Sequence, residues 1–353
     1  MRIRRCPYWL LTALWIAVLG PGGQMLFAQD SIPQVILQAK AELTDDEKAT
    51  IDTFLDVQVG RLKSDDSAEV AEGRARIADQ FNLSTSEFFL NYYSQGLADR
   101  VTPLIQPDVP LMTRLNVAIV SSKLSSQGQV DLLQDGASDP SPAVRYWIAK
   151  AVGTTAKKGT FDAQQQRDVL VVLAGRLKAE DSSLVLEQVM LAIAEIDLDD
   201  AIKTVLEGLD SRVIFHRENP DARFKPVLNG MQQLWSKLIA QSTGGANVKN
   251  DLYELARIAY RYYALIGEQM QALQDAGNGG NDDLDKDKAL MAQLCARVMD
   301  YVVKAEALGA PQPVDTNSAA ELKVSAARWK DILKAPPFDF TDEDLSVAEQ
   351  EQE

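Results

Sequence analysis

In residues 139–153 the apolar positions Val144, Ile148, Ala151 and Val152 recur at the spacing of one helical stripe. Asp139 stands where it can cap the start of that helix, and Pro140 or Pro142 suits a first turn that needs no amide donor. Ala149 is small enough to admit a close neighbour, and Gly153 is placed to end the helix with positive φ. The same period recurs later, predicting a short helix over 199–209 and long ones over 224–240, 252–273, 286–308 and 319–334. Residues 213–221, with His216 and Asn219-Pro220, read as irregular. No alternating β-branched run is bounded by hairpin turns, so the predicted fold class is all-α.

The helices carry internal echoes. Residues 61–72 lie over 176–187 with seven of twelve positions identical. Asp108 and Arg114 match Asp139 and Arg145 with the same six-residue spacing. In each case a short polar turn centred on an acid separates two apolar helical stretches, and periods of about 30–45 residues of this kind mark helical solenoids.

The turn Asp139-Pro140, then Val144-Arg145, Ala149, Ala151 and Val152-Gly153, resembles the inner helix of a HEAT repeat of the armadillo-like class. Residues 103–157 carry the resemblance, which extends over 44–200. It implies a right-handed α-α superhelix whose concave face holds a protein or peptide, with Asp139 and Arg145 as structural ladder residues linking adjacent repeats. On that reading residues 29–210 form HEAT-like repeats. Residues 211–335, the group of longer helices, either continue them or form a bundle that covers the apolar end of the stack. Tyr146, Arg114 and Glu187 occupy equivalent or adjacent places in the matched repeats and are the expected partner-binding residues. Tyr262 joins them because it points away from the helical face shared by Tyr253, Tyr260 and Tyr263. Trp147 is expected to wedge between helices.

The start of the chain changes where such a protein would work. Arg2, Arg4 and Arg5 precede an apolar run over residues 8–19, then Pro21-Gly22-Gly23, then Leu26-Phe27-Ala28-Gln29. This is the layout of a secretory signal peptide over 1–28, cut after Ala28 and directing the chain to the periplasm or the exterior. A retained anchor is the alternative, but the run is shorter than the roughly 20 residues that span a bilayer. No second apolar span follows, so stable membrane insertion of the mature chain is not expected. Cleavage would remove three arginines and no acid, moving the formal net charge from −15 to −18. A chain so acidic is repelled by phosphate backbones, which excludes nucleic acid as the expected partner.

The chemistry-bearing residues are sparse. Cys295 would be the sole cysteine of the mature chain, in an apolar stretch that reads as a buried structural thiol. His216 is the only histidine, which excludes multi-histidine zinc sites. Neither a phosphate-binding glycine loop nor a nucleophile elbow occurs, so no catalytic residue and no cofactor are assigned. Asp283, Asp285 and Asp287 alternate like the start of a calcium loop. Lys288 then replaces the required glycine and Leu294 the bidentate acid, so no metal site is expected and residues 275–287 read as a solvated acidic linker. Residues 242–247 read as a second linker. The tail, 336–353, carries seven acids and no base from 339 onward and is expected to be disordered. The leading functional reading is an exported, non-enzymatic scaffold for a protein or peptide. An envelope protein that binds or cleaves glycans, and a purely structural envelope component, are the alternatives.

Overall fold

The computed structural model describes residues 31–123, 129–159, 161–241, 246–276 and 282–347. It is 76% helical with no strand among the described residues, which meets the all-α expectation. The signal-peptide segment, residues 242–245 and 277–281 of the two linkers, and 348–353 of the tail lie outside the described residues.

The helices run in order as α1 (Gln34–Leu37), α2 (Asp45–Leu62), α3 (Ser67–Leu83), α4 (Glu87–Val101), α5 (Leu111–Ser121), α6 (Gln129–Ala137) and α7 (Pro142–Lys157). After these come α8 (Ala163–Ala179), α9 (Ser183–Glu195), α10 (Asp199–Glu218), α11 (Lys225–Ala240), α12 (Ala246–Asp275), α13 (Asp282–Ala305) and α14 (Ala319–Lys334). Local chemistry fixes several starts. Thr44 with Glu47, and Asp162 with Gln165, form reciprocal capping boxes at α2 and α8. Asp66, Ser86 and Ser318 each accept an amide hydrogen bond at the starts of α3, α4 and α14.

Packing follows chain order in two rows. From α5 onward the odd-numbered helices stack α5 on α7, α7 on α9, α9 on α11 and α11 on α13. The even-numbered helices stack in the same way from α4 to α14. The core lies between the rows, where α6 packs on α7, α8 on α9, α10 on α11 and α12 on α13. The predicted stripe of α7 faces that core: Val144, Ile148, Ala151 and Val152 are all buried.

Five local expectations are corrected. Ser141, not Asp139, is the N-cap residue of α7, and Pro142 opens the helix; the Asp139 carboxylate instead accepts the Ser141 amide at 2.7 Å. Gly153 does not end α7, which runs on to Lys157. Its missing side chain lets α9 approach, since a Cβ there would sit 3.2 Å from the Ala192 Cα. Residues 213–218 are helical, because Val213 and His216 continue the buried stripe of α10; a domain boundary at 210 therefore cuts a continuous helix. Asp283, Asp285 and Asp287 sit in the first turns of α13 rather than in a loop. Lastly, the tail is ordered through residue 347. Phe338 and Leu345 are buried, with Phe338 set edge-on to Tyr253 at 4.7 Å. Arg257, Arg261 and Arg217 donate to the carbonyls of Asp344, Ser346 and Val347 at 3.0, 2.7 and 3.1 Å. Acidity did not prevent packing, because Lys330 and Lys334 bind Asp342 and hold its carboxyl down at about 2. No described helix is long and apolar enough to cross a membrane.

Candidate functional site

A repeated ion pair links the turns of the odd row. Arg114 on α5 bonds the buried Asp139 in the turn before α7. One helix further on, Arg145 of α7 makes a two-pronged contact with Glu180 before α9, its Nε and Nη2 donating at 2.8 and 2.7 Å. The two arginines also share their backbone partners. Arg114 donates to the carbonyl of Val109 at 2.9 Å and Arg145 to that of Pro140 at 3.1 Å, in each case five residues back. The two acids match as well, accepting the amides of Ser141 and Ser182, each two residues on. Asp139 and Arg145 thus both belong to a cross-turn ladder, but they bind outward along it. The only direct bond between them runs from Arg145 to the Asp139 backbone carbonyl at 2.9 Å.

Burial pushes the Glu180 carboxyl up, but the hydrogen bonds from Arg145 and Ser182 and the charges of Arg145 and Arg176 outweigh it and hold the group below its usual range. The same Glu180 bond raises Arg145. The ladder ends here, since Leu186 replaces the arginine on α9, and Arg212 of the even row takes the Glu180 carbonyl instead.

Above the ladder, residues of the odd row align. Tyr146, Glu187 and Asn229 each follow by two positions a buried valine (Val144, Val185, Val227) on α7, α9 and α11. All three are half-buried. Asn229 donates to the Glu187 carboxylate at 2.8 Å, joining α11 to α9. The Tyr146 ring meets Trp147 edge-on at 5.8 Å, and Lys150 lies 4.5 Å above the Trp147 ring. At the other end of these three helices is an open hollow of about 590 Å³ lined by Lys157, Glu195, Asp197, Gln233 and Lys237 among others. Lys237 is committed to the carbonyls of Ala194 and Ile196 at 2.8 and 2.9 Å, closing the end of α9.

Of the expected binding residues, Tyr146 and Glu187 stand at matching half-buried positions on the adjacent helices α7 and α9. Arg114 does not: it is 7% exposed and is the counterpart of Arg145, a ladder residue. Tyr262 does not either. It is fully buried, its hydroxyl donates to the Leu209 carbonyl at 2.9 Å, and its ring packs edge-on to His216 and Phe224. The face rule that set it apart from its neighbours failed because α12 is enclosed by α10, α13 and α14 and so has several buried sides.

His216 is buried with Nδ1 2.8 Å and Nε2 3.3 Å from the carbonyls of Arg212 and Arg223, and burial lowers its pKa. Cys295 is fully buried, and burial raises its thiol pKa, which removes thiolate reactivity. Sequence reading missed a second concavity of about 660 Å³ between α13, α14 and the segment that joins them. Its residues are scattered from 263 to 329, and nothing periodic marks the joining segment.

No protein-family model matches the chain, and no curated protein is similar to it in sequence. Among solved structures, one engineered protein matches over 82% of this chain and 81% of its own at 17% identity and a TM-score of 0.36. A second engineered protein matches over 79% and 97% at 15% identity and the same score of 0.36. Likeness that weak carries no argument about fold family or activity.

Proposed function

We propose that the protein is an exported, non-enzymatic scaffold of HEAT-like helical repeats that holds a protein or peptide partner on the face formed by α7, α9 and α11. The observation that carries this reading is the alignment of Tyr146, Glu187 and Asn229 on three stacked helices above the buried ladder. The ladder fixes the spacing of α5, α7 and α9, and the Asn229–Glu187 bond ties α11 to them, so the half-buried positions make a preformed surface of the kind stacked repeats use to bind chains. A half-buried tyrosine beside a tryptophan suits an anchoring role at low entropic cost. Export rests on the layout of residues 1–28, and a right-handed superhelix on the HEAT-like turn signature. The glycan reading is weaker, because sugar stacking needs an open aromatic face and Tyr146 and Trp147 are both half-buried.

Photo-crosslinking tests the partner claim. A crosslinking amino acid placed at Tyr146, in the protein expressed in its own cells, should give one discrete protein adduct. The same group at Val171, exposed on the even row, is the control. Equal adducts from both positions, or none from 146, would remove the reading. Edman or mass-spectrometric sequencing of the mature N-terminus checks export, with Gln29 expected first.

A further inference from the structure

The concavity between α13 and α14 has features that the scaffold reading leaves unused. Its wall is the segment 308–318, fixed at both ends. At the α13 end, Ala307 adopts a left-handed φ of 56° and Leu308 donates to the Val303 carbonyl at 3.1 Å, which closes the helix and turns the chain. At the α14 end, the Asp315 amide donates to Glu321 at 2.9 Å, and Gln293 of α13 donates to Thr316 at 3.1 Å. Ala310 and Val314 between those anchors pack against the core. The wall is held in place, and about 660 Å³ lies within the range of small-molecule sites.

Charge and shape then select the ligand. Two cations line the cleft. Lys304 is bonded to Asp300 at 2.8 Å, whereas Arg297 makes no hydrogen bond or ion pair with any other described residue. Asp300 is three residues from Arg297 on the same helix, yet its carboxylate is engaged by Lys304, and Asp315 is engaged by Asn317 at 2.9 Å. A guanidinium left open in a concave site of a chain with 51 acids is a ready two-pronged receptor for a carboxylate. The floor is aromatic and nearly buried: Trp329 is 3% and Tyr263 1% exposed. Pro311, Pro313 and Val314 face them from the wall.

We infer that this cleft binds a small organic carboxylate with an apolar body, the carboxylate on Arg297 and the body against Pro311, Pro313 and Val314 of the wall, above the buried Trp329. The site is separate from the α7–α9–α11 face, and neither inference depends on the other.

The test uses the full mature chain labelled with 5-fluorotryptophan, with 3-phenylpropionate as probe and 3-phenylpropanamide as its neutral twin. The Trp329 fluorine signal is identified by its loss in Trp329→Phe. The acid should shift that signal saturably and leave the signals of Trp147 and Trp235 in place. Arg297→Gln should weaken the acid at least tenfold and leave the amide unchanged, and Arg297→Lys should fall between, keeping charge but losing the second prong. A Trp329 signal unmoved by acid and amide alike would overturn the site, and equal acid affinity in wild type and Arg297→Gln would overturn the carboxylate assignment.

Discussion

The two halves of this molecule use arginine differently. From α5 to α9 the guanidinium of one helix binds a buried carboxylate in the next turn: Arg114 to Asp139, then Arg145 to Glu180. Around α10 and α12 the arginines have mixed partners: Arg257 and Arg261 share the Asp210 carboxylate, and with Arg217 they also donate to backbone carbonyls, holding residues 344–347. A side-chain acid recurs at fixed distance from a turn, so the first use repeats and leaves a trace in sequence. A carbonyl has no side-chain identity, so the hold on residues 344–347 leaves none. The first half is therefore a stack fixed by matched pairs, and the second a set of long helices sealed by its own C-terminal segment.

Deleting residues 338–353 should break the second half with the largest effect. Removing the buried Phe338 and Leu345 costs roughly 1.5–3 kcal/mol each in burial alone. Chemical denaturation of the truncated chain should show a loss on the order of 3–6 kcal/mol; an unchanged midpoint would return the tail to the disordered class. Next, Asp139→Ala should cost about 3–5 kcal/mol, because Arg114 is left buried without its carboxylate. A loss under about 1 kcal/mol would class that pair with surface ion pairs.

Glu180 sharpens the comparison through pH. Its folded-state pKa lies below its unfolded value, so the unfolded chain binds more protons over that interval. The stabilisation is complete above the ordinary glutamate pKa of about 4.3 and is lost as pH falls through the lower folded value. Glu180→Gln should thus cost about 1.5–3 kcal/mol near neutrality and progressively less in acid. A difference that grows on acidification would contradict the sign. Gly153→Ala should cost about 1–3 kcal/mol, as the added methyl meets the α9 backbone at 3.2 Å. Tyr146→Ala comes last. It should change stability by no more than about 1 kcal/mol, and the loss should appear in the crosslinked partner's affinity instead.

What the sequence disclosed follows the same division. The stripe of α7 and the six-residue spacing of Asp108–Arg114 and Asp139–Arg145 were legible because period and turn chemistry are local. The pairing was not: which arginine meets which acid depends on the stacking of α5, α7 and α9, so Arg114 looked like a contact residue and is a ladder residue. Tyr262 was misread because α12 is buried on more than one side, where a face rule has nothing to distinguish. The tail was misread because composition counted its acids and could not see Lys330, Lys334 and three arginines arriving from distant helices. The α13–α14 cleft left no trace, since its residues meet only once the joining segment is folded back.

The central claim is that buried arginine–acid pairs couple successive turns of the odd row. A double-mutant cycle on Arg145 and Glu180, measured by denaturation of Arg145→Ala, Glu180→Ala and the double variant, tests it directly. Removing Arg145 strands the buried Glu180, and removing Glu180 leaves the partly buried Arg145 without its carboxylate, so the double variant should cost clearly less than the sum, by about 1–3 kcal/mol. Additivity within about 0.5 kcal/mol would mean that the pair is not coupled and that the stack is held by apolar packing alone.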